Sequence, residues 1–249
     1  MSSGSQQPTA VGTRQPPEET RQLVLGLRNF LGQPLENFEA EPPRNVSGKS
    51  ISVGAVKWGV YAFFDFDDEP IYVGQTRESL GQRISRHLTN QRTDAVAMAV
   101  LDPFEVLTIK VWPLPQYQQS SSKDSMAVEH LNALERSIFM RLISESRFGK
   151  ILNEKDPAPT ADCLIPDSIS GTIVPEAIRR DREHPDIRIA RRAMTIARLA
   201  QIVSGRQVGV GLRRTLQTQA DRLAWLAAAR FNALGGESAV ETEGHDEDT

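Results

Sequence analysis

Apolar side chains follow two rhythms along the chain, and each change of rhythm marks an element. From Arg21 to Phe38, Leu23, Leu27, Phe30, Leu31 and Leu35 recur at helical spacing and predict a short amphipathic helix, ended by Pro42, Pro43 and Gly48. Val56 to Asp67 alternates instead with a period of two through Val56, Trp58, Val60, Ala62, Phe64 and Phe66, which predicts a strand. Asp67-Asp68-Glu69-Pro70 supplies turn chemistry and Ile71-Tyr72-Val73-Gly74 a second strand, so the pair reads as an antiparallel hairpin. Leu80, Ile84 and Leu88 at steps of four place a helix over 79–90, and alternation over 104–112 gives a third strand before Pro113 and Pro115. Asp124 to Ser146 carries Ala127, Leu131, Leu134, Ile138 and Leu142 on one stripe and is the longest expected helix. Past Asp156-Pro157-Ala158-Pro159 two or three further helices are expected, around 186–203 and 212–233, separated by Gly205, Gly209 and Gly211.

The expected fold class is therefore α+β, a small three-stranded antiparallel sheet flanked by helices, with a C-terminal helical extension. Residues 1–20 are Ser, Gln, Thr, Gly and Pro with few apolar side chains and read as a disordered tail. A short helix and linker occupy 21–50, the α+β unit 51–160, a basic helical region 161–235 and an acidic disordered tail 236–249.

Charge changes this picture only when it is split along the chain. The net charge of -3 conceals 12 Arg and no Lys against 5 acids from Thr172 to Gly235, followed by six acids from Glu237 onward. No apolar run reaches the roughly 20 residues of a membrane span, and the N-terminus has neither a basic start nor an apolar core. With one cysteine, Cys163, and four histidines there is no internal disulfide and no four-ligand zinc site, so a reducing, cytoplasmic setting is expected.

Glu135 is the most conspicuous candidate for chemistry. On a helical wheel it falls about 40° from Leu131 and about 20° from Leu142, inside the apolar stripe, where an unpaired carboxylate is costly. A salt bridge at the stripe's edge is the bland explanation, a metal-binding role the sharp one. Arg83 and His87, four apart, share one helix face, and Tyr61 and Tyr72 sit on the paired strands.

Taken together, Gly59-Val60-Tyr61, then Tyr72-Val73-Gly74, then Arg83, His87, Glu135 and Asn153 resemble the GIY-YIG nuclease superfamily, over roughly residues 56–155. Val in place of Ile in both triplets departs from the pattern but keeps a β-branched side chain. The resemblance implies divalent-metal-dependent hydrolysis of a phosphodiester. Glu135 would be the one protein ligand to a single Mg²⁺ (or Mn²⁺), the other positions being water and phosphate oxygens. Tyr61 would take a proton from the attacking water, with its pKa lowered from about 10 by Arg83, the metal or Tyr72. Tyr72 would orient water or phosphate, and Arg83 would bind the scissile phosphate and stabilise the transition state. His87 either relays a proton or holds the tyrosine and phosphate. Asn153 would fix the site from the loop after the long helix, while Gly59 and Gly74 allow close packing at the strands.

The expected partner is DNA, with no membrane contact and no small-molecule cofactor. Arg86, Arg188, Arg191, Arg192, Arg213 and Arg214 are candidate DNA contacts. The C-terminal helices either track a phosphate backbone or assemble a homo-oligomer. Restriction or defence against foreign DNA is the expected role, with structure-selective repair or recombination, or a non-catalytic binding module, as alternatives.

Overall fold

The computed structural model describes residues 17–37, 41–45, 47–89 and 100–236. Most of the expected N-terminal tail and nearly all of the acidic tail lie outside the described residues. Six α-helices and four strands are formed among the described residues: α1 (Glu18–Leu31), β1 (Gly59–Phe64), β2 (Pro70–Thr76), α2 (Leu80–Thr89), β3 (Thr108–Pro113), α3 (Ser125–Glu145), β4 (Ile169–Thr172), α4 (Glu176–Glu183), α5 (Pro185–Gly205) and α6 (Val210–Ala233). The strands form one antiparallel sheet in the order β2-β1-β3-β4.

The fourth strand corrects the expectation of three. β4 is only four residues, Ile-Ser-Gly-Thr, too short and too weakly patterned to announce itself, and its edge position comes from pairing Ile169 with Val111 and Thr172 with Thr108. Its glycine is required by packing. A Cβ at Gly171 would sit 2.2 Å from the Phe30 ring of α1. Other boundaries shift for local reasons. α1 starts at Glu18, inside the stretch expected to be disordered, and stops at Gly32, with Leu35–Asn37 continuing only as a 3₁₀ turn.

All six residues of β1 are buried, because it is a central strand covered on both faces. One face carries Tyr61, Phe63, Ile109 and Val111 and packs under Leu80, Ile84 and Leu88 of α2 and Leu23, Leu27 and Phe30 of α1. The other carries Val60, Ala62, Phe64, Val73 and Trp112 and meets Ala127, Leu131, Leu134, Ile138 and Leu142 of α3. Helices on opposite faces thus approach the edge strand β2 from both sides. Leu199 of α5 and Leu212 of α6 belong to the first of these clusters, so the C-terminal helices share its core.

The arginines of those helices are largely occupied. Arg188, Arg192 and Arg222 are 3%, 2% and 2% exposed and converge on the tip of the β1–β2 hairpin. The Asp65 carboxylate accepts from Arg192 Nη2 at 2.9 Å and Arg222 Nη2 at 2.6 Å, while its other oxygen accepts from the backbone N–H of Asp67 and Glu69. Glu105 accepts from Arg192 Nε at 2.8 Å, and Arg188 pairs with Asp67. Arg191 is bidentate to Asp102 and stacks on Phe104.

Candidate active site

Tyr61 lies in mid-β1 directly opposite Gly74 of β2, and Tyr72 lies opposite Phe63. The tyrosine ring fills the space above the glycine. A Cβ on Gly74 would come within 2.6 Å of the Tyr61 hydroxyl and 2.9 Å of the Tyr72 ring. The close packing expected of Gly74 is thus with the tyrosine side chains, whereas at Gly59 it is with backbone, the Trp112 carbonyl lying 2.8 Å from a notional Cβ.

From successive turns of α2, Arg83 and His87 reach the same place. The Tyr61 hydroxyl lies 3.4 Å from His87 Nδ1 with Arg83 and Tyr72 close enough to act on it, and the Tyr72 and His87 rings meet edge to face with centroids 4.5 Å apart. Glu135 approaches from α3, close enough for its charge to act on both tyrosines and Arg83. Four of the sequence-predicted residues, Tyr61, Tyr72, Arg83 and His87, therefore meet in one cluster, with Glu135 in electrostatic reach from the other face. Beside them is an open groove of ≈ 360 Å³ lined in part by Gln75, Arg77 and Arg83.

Asn153 is a tie rather than a wall of this pocket. Its Oδ1 accepts from the Val73 N–H at 3.0 Å and its Nδ2 donates to the Val73 carbonyl at 2.8 Å, so one side chain imitates a neighbouring strand along the open edge of β2. The Leu152 N–H continues the pairing to the Ile71 carbonyl at 2.8 Å. Arg214 then clasps this loop, donating to the Asn153 carbonyl and to Asp156.

Burial sets the protonation states. It pushes the Glu135 carboxyl up to about 7, with the Gln75 amide and Arg83 pulling back toward the charged form. The His87 imidazole is driven down to about 4 by burial and by Arg83, so it is neutral at physiological pH. Tyr61 is raised above its ordinary value because desolvation outweighs Arg83, contrary to the expected lowering, and Tyr72 is raised for the same reason. In this state both phenols are hydrogen-bonding hydroxyls.

The candidate DNA contacts divide in two. Arg188 and Arg192 are buried ion-pair partners with no surface to offer a phosphate, which corrects the expectation for them; Arg191 and Arg214 are engaged by Asp102 and Asp156. Arg86, paired with Glu78 at 2.7 Å, and Arg213 face solvent. Sequence reasoning missed Gln75 and Asn132 as site residues. The signal for Asn132 was available, a polar side chain one helical turn before Glu135.

Residues 57–129 match the family model of the GIY-YIG catalytic domain, which implies a nuclease-type function. The match covers under a third of the chain; it contains Gly59, Tyr61, Tyr72, Gly74, Arg83 and His87 and stops short of Glu135 and Asn153. No curated protein and no solved structure matched the chain. No helix among the described residues is long and apolar enough to cross a membrane.

Among the described residues no three His, Cys, Asp or Glu side chains gather into a metal cage. Glu135 nonetheless fits as a single anchor for a hard cation: a carboxylate within electrostatic reach of Arg83, whose guanidinium lines the groove and can hold a phosphate supplying further oxygens.

The packing yields a sharp prediction. Gly74→Ala must move the Tyr61 side chain, and if Tyr61 acts at the reacting centre as the family resemblance implies, a displacement of about 1 Å costs on the order of 100-fold in rate. Single-turnover cleavage by the variant is expected to fall by that order while DNA binding is retained; cleavage within about twofold of wild type would show that the Tyr61 position is unimportant.

Proposed function

We propose that the chain is a metal-dependent endonuclease that hydrolyses DNA phosphodiester bonds, acting in the cytoplasm in restriction or defence against foreign DNA. The observation that carries this reading is the cluster of Tyr61, Tyr72, Arg83 and His87, with Glu135 in electrostatic reach from the opposite face of the sheet, beside a groove that Arg83 lines.

Each side chain has a task that its surroundings support. Arg83 binds the scissile phosphate and offsets the charge that grows on it in the pentacovalent transition state. The Tyr61 hydroxyl accepts a proton from the attacking water while passing its own to His87 Nδ1, which the neutral imidazole accepts in the tautomer protonated at Nε2. Tyr72, pressed against His87, orients water and phosphate. Glu135 holds the cation, which when bound supplies Lewis-acid stabilisation of phosphate oxygens. One such site cuts one strand, so a double-strand break takes two copies of the chain or two encounters.

A substrate panel tests the reading. In Mg²⁺, discrete fragments from long duplex DNA are expected. Preference for flaps or four-way junctions would move the assignment to repair or recombination, preference for RNA would overturn the DNA assignment, and binding without cutting in Mg²⁺ and Mn²⁺ would leave a nucleic-acid-binding module.

A further inference from the structure

Gln75 follows the second glycine motif and lies opposite Val60, on the face of β2 that looks toward α3. Its Nε2 donates to Asn132 Oδ1 at 3.0 Å, and the same side-chain amide is close enough to the Glu135 carboxylate to favour its charged form. Asn132 and Glu135 are three apart on α3 and so stand on one face, one turn above the other. The amide therefore bridges strand and helix at the carboxylate. Its remaining polar atom, Oε1, is buried and accepts a hydrogen bond from none of the described residues. A residue kept only for packing would avoid this, since an unmet buried acceptor costs about 1–3 kcal/mol. Gln75 also lines the groove that Arg83 enters.

We infer that Gln75, held by Asn132, is a positioning residue for the cation site: its N–H aims the Glu135 carboxylate into the groove, and its free oxygen accepts from a water that accompanies the cation. This rests on the proposed role of Glu135 as cation anchor. An outer hydrogen bond of this kind acts through the ligand, restricting its rotamers and keeping its lone pairs directed, and losing one typically lowers metal affinity about 10–100-fold.

The test is Mn²⁺ binding to the full-length protein, followed by the relaxation of water protons, together with thermal melting. Gln75→Met keeps the length of the side chain and removes its hydrogen bonds. It is expected to weaken Mn²⁺ binding about tenfold with a melting temperature close to wild type. Asn132→Leu is expected to weaken it less, and to add little on top of Gln75→Met, because both act through the same amide. Mn²⁺ affinity equal to wild type in both variants overturns the inference, as does a loss that only follows a collapse in melting temperature in both. If wild type shows no saturable binding and Glu135→Gln is indistinguishable from it, the cation reading itself fails and takes this inference with it. Binding that is abolished by Glu135→Gln but untouched by Gln75→Met removes the inference alone.

Discussion

Glu135→Gln is expected to lower strand cleavage by about 100- to 1,000-fold and at the same time to stabilise the metal-free protein at neutral pH. The first effect follows from removing the charge of the carboxylate assigned to the cation, comparable to losing a principal electrostatic element of a transition state, about 3–4 kcal/mol. The second follows from burial. The Glu135 carboxyl is raised from its ordinary 4.5 to about 7 in the folded chain, so folding disfavours the charged form. For an acid with a raised folded pKa, stability is lost as pH rises from about 4.5 through about 7, and Gln, which carries no charge, escapes that loss. The gain at pH 8 is expected to be on the order of 1–3 kcal/mol and to vanish near pH 4. Melting curves at pH 4 and pH 8 in chelator, with single-turnover cleavage in Mg²⁺, measure both halves. An unchanged melting temperature at pH 8 would place Glu135 in a well-solvated position; an unchanged rate would remove it from the chemistry.

Asp65→Ala is expected to produce the largest loss of stability of any single surface-to-core change at the hairpin tip. Asp65 is 2% exposed and accepts from Arg192, Arg222 and the N–H groups of Asp67 and Glu69. Its removal leaves two guanidinium groups buried without their shared counter-charge and opens the turn at once. Removing one member of a buried ion pair costs about 3–5 kcal/mol. For a chain of this size that corresponds to a fall in melting temperature of roughly 6–20 °C. Arg213→Ala, at a solvent-facing position on α6, is the control and is expected to change stability by less than about 0.5 kcal/mol. If Asp65→Ala melts within about 2 °C of wild type, the network does not hold the C-terminal helices to the hairpin.

That network explains where the chain was legible and where it was not. The candidate site could be read because its determinants are local: Tyr61 and Tyr72 are brought together by a single hairpin, and Arg83 and His87 by one turn of helix. Glu135 was conspicuous because it interrupts an apolar stripe. The arginines of α5 and α6 misled because their partners are far away in sequence. Counting charge from Thr172 onward gives a basic segment that suggests a phosphate backbone, but Asp65, Asp67 and Glu105, which neutralise Arg188, Arg192 and Arg222, lie some 80 to 160 residues earlier. Segment charge cannot show a pairing that only the fold creates. Arg191, Arg214 and Arg230 tell the same story at partly exposed sites, each held by an aspartate. β4 was hidden for a different reason. Its four residues have no alternation to detect, and Gly171, which weakens a strand in isolation, is there because Phe30 of α1 needs the space.

The protonation of the two phenols is the point at which geometry revised the chemistry. A tyrosine used as a base was expected to have a lowered pKa, yet Tyr61 is enclosed and raised, and its hydroxyl is directed at a histidine held neutral down to about pH 4. In the proposed mechanism the proton therefore passes along the Tyr61–His87 contact, and a neutral His87 would bring no titration near pH 6.5 to a cleavage profile.

The most direct test of the central claim is conversion of supercoiled plasmid DNA to nicked and linear forms in Mg²⁺, by wild type and Glu135→Gln side by side, with DNA binding by both measured in chelator. Nicking by wild type alone, with equal binding by the two proteins, is the predicted result. Equal cutting by both, or none by either in Mg²⁺ and in Mn²⁺, would contradict the assignment of Glu135 as the anchor of a phosphodiester-cleaving site.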